Sequence, residues 1–97
     1  MIKVEFHPEA DLELEKAKNW YQERSELAAR AFATDIAHAV RTISQSPHVW
    51  PETRPGERRY ILPRFPYSIL YRVRSDYLFI TAVAHQKRRP GYWRLRR

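Results

Sequence analysis

His85, Arg89 and Tyr92 stand at i, i+4 and i+7 in a 97-residue chain, and together they could do acid–base chemistry on a phosphodiester. In such a cleavage a base takes the 2′-hydroxyl proton, cations hold the charge of the phosphorane, and an acid protonates the leaving oxygen. Helical spacing would gather the three, although Pro90 interrupts a regular turn. The plainer reading has His85 hydrogen-bonded at a strand end and Tyr92-Trp93 packed over a sheet edge, and it is the favoured one.

The same region holds a basic strip: Arg58, Arg59, Arg64, Arg72, Arg74, Lys87, Arg88, Arg89, Arg94, Arg96 and Arg97. A guanidinium is a planar fork suited to phosphate and carboxylate. Residues 1–46 carry six Lys/Arg against eight Asp/Glu, whereas residues 47–97 carry twelve against three. The net charge of +7 is therefore concentrated in one half of the chain. A solvated face is the usual meaning of a charge run, but this asymmetry favours a surface for nucleic acid or for an acidic protein segment. Arg72 and Arg74 share one strand face, and Arg88 and Arg89 follow the next strand, so these four are expected to cluster.

Other chemistries find no support. With Cys 0 there is no thiol nucleophile and no disulfide framework. His7, His38, His48 and His85 are far apart and form no zinc motif, so no metal is expected. Two glycines leave no nucleophile elbow and no phosphate-cradling loop, and no cofactor is expected. No apolar run approaches the roughly 20 residues that span a bilayer, and no signal peptide is seen. A single cytoplasmic domain over residues 1–97, without membrane contact, is the expectation.

The elements that must position these residues follow from periodicity. Ile2 to Phe6 alternates as a short strand. Pro8 fits the first turn of a helix, where its missing N–H is no loss, and Glu9 and Asp11 suit the positive end of the helix dipole. Ala10, Leu14, Ala17 and Tyr21 give that helix one apolar stripe through about residue 23. Trp20 and Tyr21 read as core. Ser25 is the N-cap expected of a second helix, whose stripe is Ala28, Phe32, Ile36, Ala39, Val40 and Ile43. Pro47 ends it. Residues 47–57, with three prolines, read as a loop, in which Trp50 has no assigned role. Strands are expected over Arg58–Leu62, Tyr67–Arg74 and Tyr77–His85, the last two joined tightly through Ser75-Asp76. The predicted fold is α+β, in the order β-α-α-β-β-β: a helical hairpin on one face of a small antiparallel sheet, with a basic C-terminal tail.

Several stretches carry a family resemblance. They are Trp20-Tyr21, Ser46-Pro47, Arg58-Arg59-Tyr60, the block Phe65-Pro66-Tyr67-Ser68-Ile69-Leu70-Tyr71, the strand end Ala84-His85, and the tail Arg89-Pro90-Gly91-Tyr92-Trp93 with Arg96. Over nearly its whole length the chain resembles the RelE/ParE toxin superfamily of type II toxin–antitoxin systems, above all its ParE-like plasmid stabilisation branch. The resemblance implies a toxin that binds and inhibits DNA gyrase. It also implies neutralisation by a cognate antitoxin, through which the toxin would meet operator DNA indirectly. RelE-like members instead cut messenger RNA on the ribosome, using an arginine in the penultimate strand and another after the last strand. Those positions fall on Ser68 and near Gln86 or Lys87, while Tyr92 matches a tail tyrosine and His85 is shared with both branches. Ser68 puts RelE-type cleavage second, behind gyrase inhibition. A non-toxic basic module that binds nucleic acid is a third alternative, but no known DNA-reading motif is present.

Overall fold

The computed structural model describes residues 2–96. Strand β1 (Lys3–Phe6) is followed by helices α1 (Pro8–Arg24) and α2 (Glu26–Gln45). Strands β2 (Glu52–Arg54), β3 (Glu57–Ile61), β4 (Tyr67–Val73) and β5 (Tyr77–His85) complete the order. Local chemistry accounts for the helix boundaries. Pro8 opens α1, and the ring Nδ1 of His7 accepts the Glu9 N–H at 3.0 Å. Ser25 serves both helices. Its N–H donates to the Tyr21 carbonyl at 2.8 Å, ending α1, and its hydroxyl accepts the Ala28 N–H at 3.2 Å, starting α2. Helix α2 stops at Gln45, ahead of Pro47.

The sheet has the order β1-β5-β4-β3-β2. The α+β class and the helical hairpin are as expected, and two details are corrected. The sheet is mixed, because β1 runs parallel to β5, with Lys3 opposite Tyr77 and Phe6 opposite Ile80. It also has a fifth strand. The segment taken for a loop contains β2, which pairs with β3 across a turn at Gly56, whose φ of 81° is left-handed.

Both faces of the sheet are covered. Ala10, Ala17, Phe32, Ile36, Ala39 and Ile43 from the helices pack on Ile69, Tyr71, Leu78, Ile80 and Val83. On the opposite face Leu70, Ala82 and Ala84 lie under Trp93, with Tyr92 beside them. One residue lets β5 serve both layers. Leu70 is opposite Ala82 but Tyr71 is opposite Ile80, so Thr81 is an extra residue in β5, a bulge that shifts the alternation. Val83 thereby faces the helices, as Ile80 does, although the two are three residues apart.

Tyr71 is fully buried, and its hydroxyl donates to the Pro47 carbonyl at 2.8 Å, tying β4 to the end of α2. Burial pushes its pKa up to about 12 from the ordinary 10. The folded state thus favours the neutral phenol. The stabilisation is complete below pH 10 and is lost as the pH rises through 12. Alkaline titration should therefore remove about 3 kcal/mol over that window. Tyr71→Phe should remove this part of the pH dependence, which urea melts between pH 9 and pH 12 would check.

Candidate functional site

The open side of β5 decides where the tail goes. Strand β1 ends at Phe6, opposite Ile80, so the last five residues of β5 have no strand beside them on that edge. Two side chains take the place of a strand. Glu13 of α1 accepts the Val83 N–H at 3.0 Å, and Arg96 donates to the Thr81 carbonyl at 3.1 Å. The two groups also pair with each other, both guanidinium nitrogens lying 2.9 Å from the Glu13 oxygens. Tyr92 donates its hydroxyl to Glu13 at 2.6 Å, and Arg88 reaches the same carboxylate at 3.4 Å while stacking on the Tyr92 ring. Glu13 is nearly buried, with 12% of its side chain exposed, so these bonds are little screened by water.

A second carboxylate holds the tail on the other face. Glu57 at the start of β3 is fully buried. It accepts the Trp93 indole N–H at 2.8 Å and the Thr53 hydroxyl at 2.6 Å, and Arg54 and Arg72 each stand 3.8 Å away. Between these anchors the tail runs as successive turns, with no α-helix among its described residues. Gly91 has φ 81°, and a Cβ there would come within 2.8 Å of the Arg94 guanidinium.

The arginine strip is accordingly two populations. Arg58 bonds the Trp50 carbonyl at 2.6 Å and pairs with Glu52, and Arg64 forms a bidentate pair with Asp35 at 2.7 and 3.0 Å. Arg72, Arg88 and Arg96 serve Glu57 and Glu13. Arg59, Arg74, Lys87, Arg89 and Arg94 are exposed and have no acidic partner among the described residues. Arg97 lies outside the described residues. The expected cluster of Arg72, Arg74, Arg88 and Arg89 does not form. Tyr67 is the residue opposite His85, and Arg72 is opposite Phe79. The two pairs of arginines therefore sit at opposite ends of the hairpin, about 17 Å apart or more at 3.3 Å per residue.

His85, Arg89 and Tyr92 do not assemble as an acid–base set. The Nδ1 of His85 accepts the Lys87 N–H at 3.0 Å, so in the neutral ring the proton is on Nε2. Neither nitrogen is then a free base. Burial first, and then the hydrogen bond from Tyr92 to Glu13, hold the Tyr92 phenol well above its ordinary range, which makes it a poor proton donor. Arg89 is exposed, and its carbonyl accepts the Tyr92 N–H at 3.4 Å. Ser68 is buried opposite Ala84, beside a groove that Arg59 also lines. Among the described residues no group of three or more His, Cys, Asp or Glu is placed to hold a metal ion. Nor is any of their helices long and apolar enough to cross a membrane.

Two residues that organise this region escape a reading by motif. Glu13 lies three residues after Ala10 and four before Ala17, on the buried face of α1, and an acid on an apolar stripe was the available signal. Glu57 is one of three acids in the arginine-rich half. Trp20 is corrected: it is 49% exposed, with Arg24 stacked 3.8 Å from its ring, whereas Tyr21 does join the core against Phe32 and Phe65. Trp50 is partly buried, edge-on to Tyr60 at 4.8 Å.

Comparison with known proteins agrees with this architecture. A solved structure described as "Chromosomal ParDE TA system from P. aeruginosa" superposes with a TM-score of 0.75 at 22% identity, covering 88% of this chain and 96% of that one. At that identity the likeness is one of fold. No curated protein matches. The profile of the "ParE toxin of type II toxin-antitoxin system, parDE" matches residues 4–90. That span takes in both helices, strands β2 to β5, all of β1 but Lys3 and the start of the tail, and the chain belongs to the ParE toxin family.

Proposed function

We propose that this ParE-family toxin acts in the cytoplasm by binding and inhibiting DNA gyrase, with no catalytic residues of its own, and that a cognate antitoxin neutralises it. The family implies the antitoxin. The observation that carries the binding mode is the engagement of His85 Nδ1 and of the Tyr92 hydroxyl, which leaves the tail without a free base or a usable acid. What the tail does offer is exposed cation: Lys87, Arg89 and Arg94, with Arg59 across the groove. The short outer strands, and a groove between α1 and the adjoining ends of β4 and β5, suit an antitoxin segment docked as a helix plus an extended stretch, with its carboxylates on the arginines. Operator DNA is then reached through the antitoxin.

The test compares two targets. Purified toxin is expected to block supercoiling by gyrase, or to trap gyrase on DNA, while leaving messenger RNA intact on programmed ribosomes. Cleavage in the ribosomal A site, abolished by His85→Ala or Tyr92→Phe, would transfer the chain to the nuclease branch.

A further inference from the structure

Glu13, Lys16 and Trp20, at i, i+3 and i+7, lay one stripe of α1 along a cavity of about 420 Å³. The adjoining ends of β4 and β5 form its other wall, where Tyr67 and His85 stand opposite each other on neighbouring strands. The volume falls in the range of small-molecule sites. Much of the lining is aromatic. Tyr67 meets His85 edge-on with ring centroids 5.0 Å apart, and Tyr21 meets Trp20 in the same way at 5.0 Å. Arg24 covers one face of Trp20, yet 49% of that residue stays exposed. Walls of this kind suit a ring, which they can meet by stacking or by an edge.

The polar groups among these walls are donors in want of an acceptor. Tyr71 and Tyr92 spend their hydroxyls on Pro47 and Glu13, but those of Tyr21 and Tyr67 have no partner among the described residues. Burial raises the pKa of both phenols, so they stay protonated and able to donate. The hydrogen bond at Nδ1 leaves His85 its Nε2–H to give. Lys16 is exposed, and Arg88 lines the cavity with 53% of its side chain exposed. The one carboxylate in the lining is spent. One Glu13 oxygen takes the Val83 N–H and Arg96, and the other takes Tyr92 and Arg96 again. A cation would meet Lys16 and Arg88 with no open acid to receive it. A plain hydrocarbon would strip water from two phenols and return no hydrogen bond, which costs free energy. An anion carried on a ring satisfies the donors and the aromatic walls together.

We infer that this cavity is a binding site for a small aromatic anion, a carboxylate or a phosphate monoester. Lys16, Arg88 and the Tyr67 hydroxyl receive its charged group, and its ring lies against Trp20 and Tyr21. Arg88 can turn to the ligand at little cost, because its bond to Glu13, at 3.4 Å, is the longest that carboxylate makes. A guanidinium and an ammonium at one mouth give such a group charge-assisted hydrogen bonds, the stronger kind. The site belongs to the toxin by itself and depends on neither its target nor its antitoxin.

The experiment titrates the full-length, isotopically labelled toxin with phenylacetate, phenyl phosphate and the neutral phenylacetamide, and follows amide and indole N–H signals by NMR. The anions should shift the Trp20 indole, Ala17 and Val83 and leave the Trp50 indole, on another face, in place. Phenylacetamide should bind roughly tenfold more weakly than phenylacetate, for want of a charge-assisted bond. Either anion seated there bears the site out, and the tighter of the two names the charged group it is built for. Lys16→Gln should weaken both anions roughly tenfold and leave the amide unchanged, a split that a general loss of structure cannot produce. Lys16 is exposed on the helix, so this variant should fold. Tyr67→Phe should weaken phenylacetate about threefold. Equal affinities for phenylacetate and its amide would make the cavity a mere apolar crevice and overturn the inference. Anion shifts scattered over the arginine-rich surface would overturn it too, as would a Lys16→Gln variant that binds phenylacetate like wild type.

Discussion

Glu13→Ala is expected to lower the unfolding free energy by about 3–5 kcal/mol, among the largest single-residue effects in this chain. The substitution strips the acceptor from Arg96, the Tyr92 hydroxyl and the Val83 N–H together. The Arg96 side chain is only 15% exposed, so its charge cannot simply return to water. Glu13→Gln keeps the shape and one acceptor, and should cost about half as much. Urea melts read by circular dichroism would give both values. Limited proteolysis should also cut the tail of the alanine variant first, because the anchor beside β5 is gone. A change below about 0.5 kcal/mol, the size of an ordinary surface substitution, would mean that the cluster contributes nothing to holding the tail.

The second large effect is on binding. The triple variant Arg59→Gln/Arg89→Gln/Arg94→Gln is expected to fold normally, since none of the three has an acidic partner among the described residues. Each charge-assisted bond lost to a partner should cost about 1.5–3 kcal/mol, so the triple should bind antitoxin or target at least a hundredfold more weakly. Arg72→Gln is the useful contrast. It removes a cation beside buried Glu57 and should show its loss in stability before it shows any in binding. Calorimetry against the antitoxin and a supercoiling titration measure the two partners separately. A triple variant that keeps both affinities would make these arginines a solvated surface.

That contrast marks the limit of what could be read from residue types. The helices were legible because their boundaries are local: a proline at the first turn, a serine between them and Pro47 beyond. Strands β4 and β5 were legible from alternation and their short connection. Strand β2 was not, because three residues among prolines and a turn glycine carry no periodic signal. The parallel placement of β1 depends on which edge of the sheet is vacant, which no local pattern records. The candidate site suffered more. The charge of +9 over residues 47–97 reads as one field, yet Glu13 and Asp35 from the acidic half, with Glu52 and Glu57, engage six of its arginines. Pairing across the chain is a property of the fold. The spacing of His85, Arg89 and Tyr92 was also uninformative, because the tail proceeds by turns and a glycine in the left-handed region.

The parallel pairing of β1 with β5 has a consequence for how the molecule is made. Residues 3–6 find their partners only at residues 77–80, and the Glu13–Arg96 pair spans 83 positions. Contacts so distant in sequence are slow to form, because a long loop must close before any of them is made. On the ribosome the helical hairpin can assemble early, but its first strand must wait until β5 has emerged. The exposed cations of the tail, carried by the residues after β5, therefore take their places only once that strand and the tail have left the ribosome. A partner that recognises the finished surface finds no such surface on the shorter nascent chain.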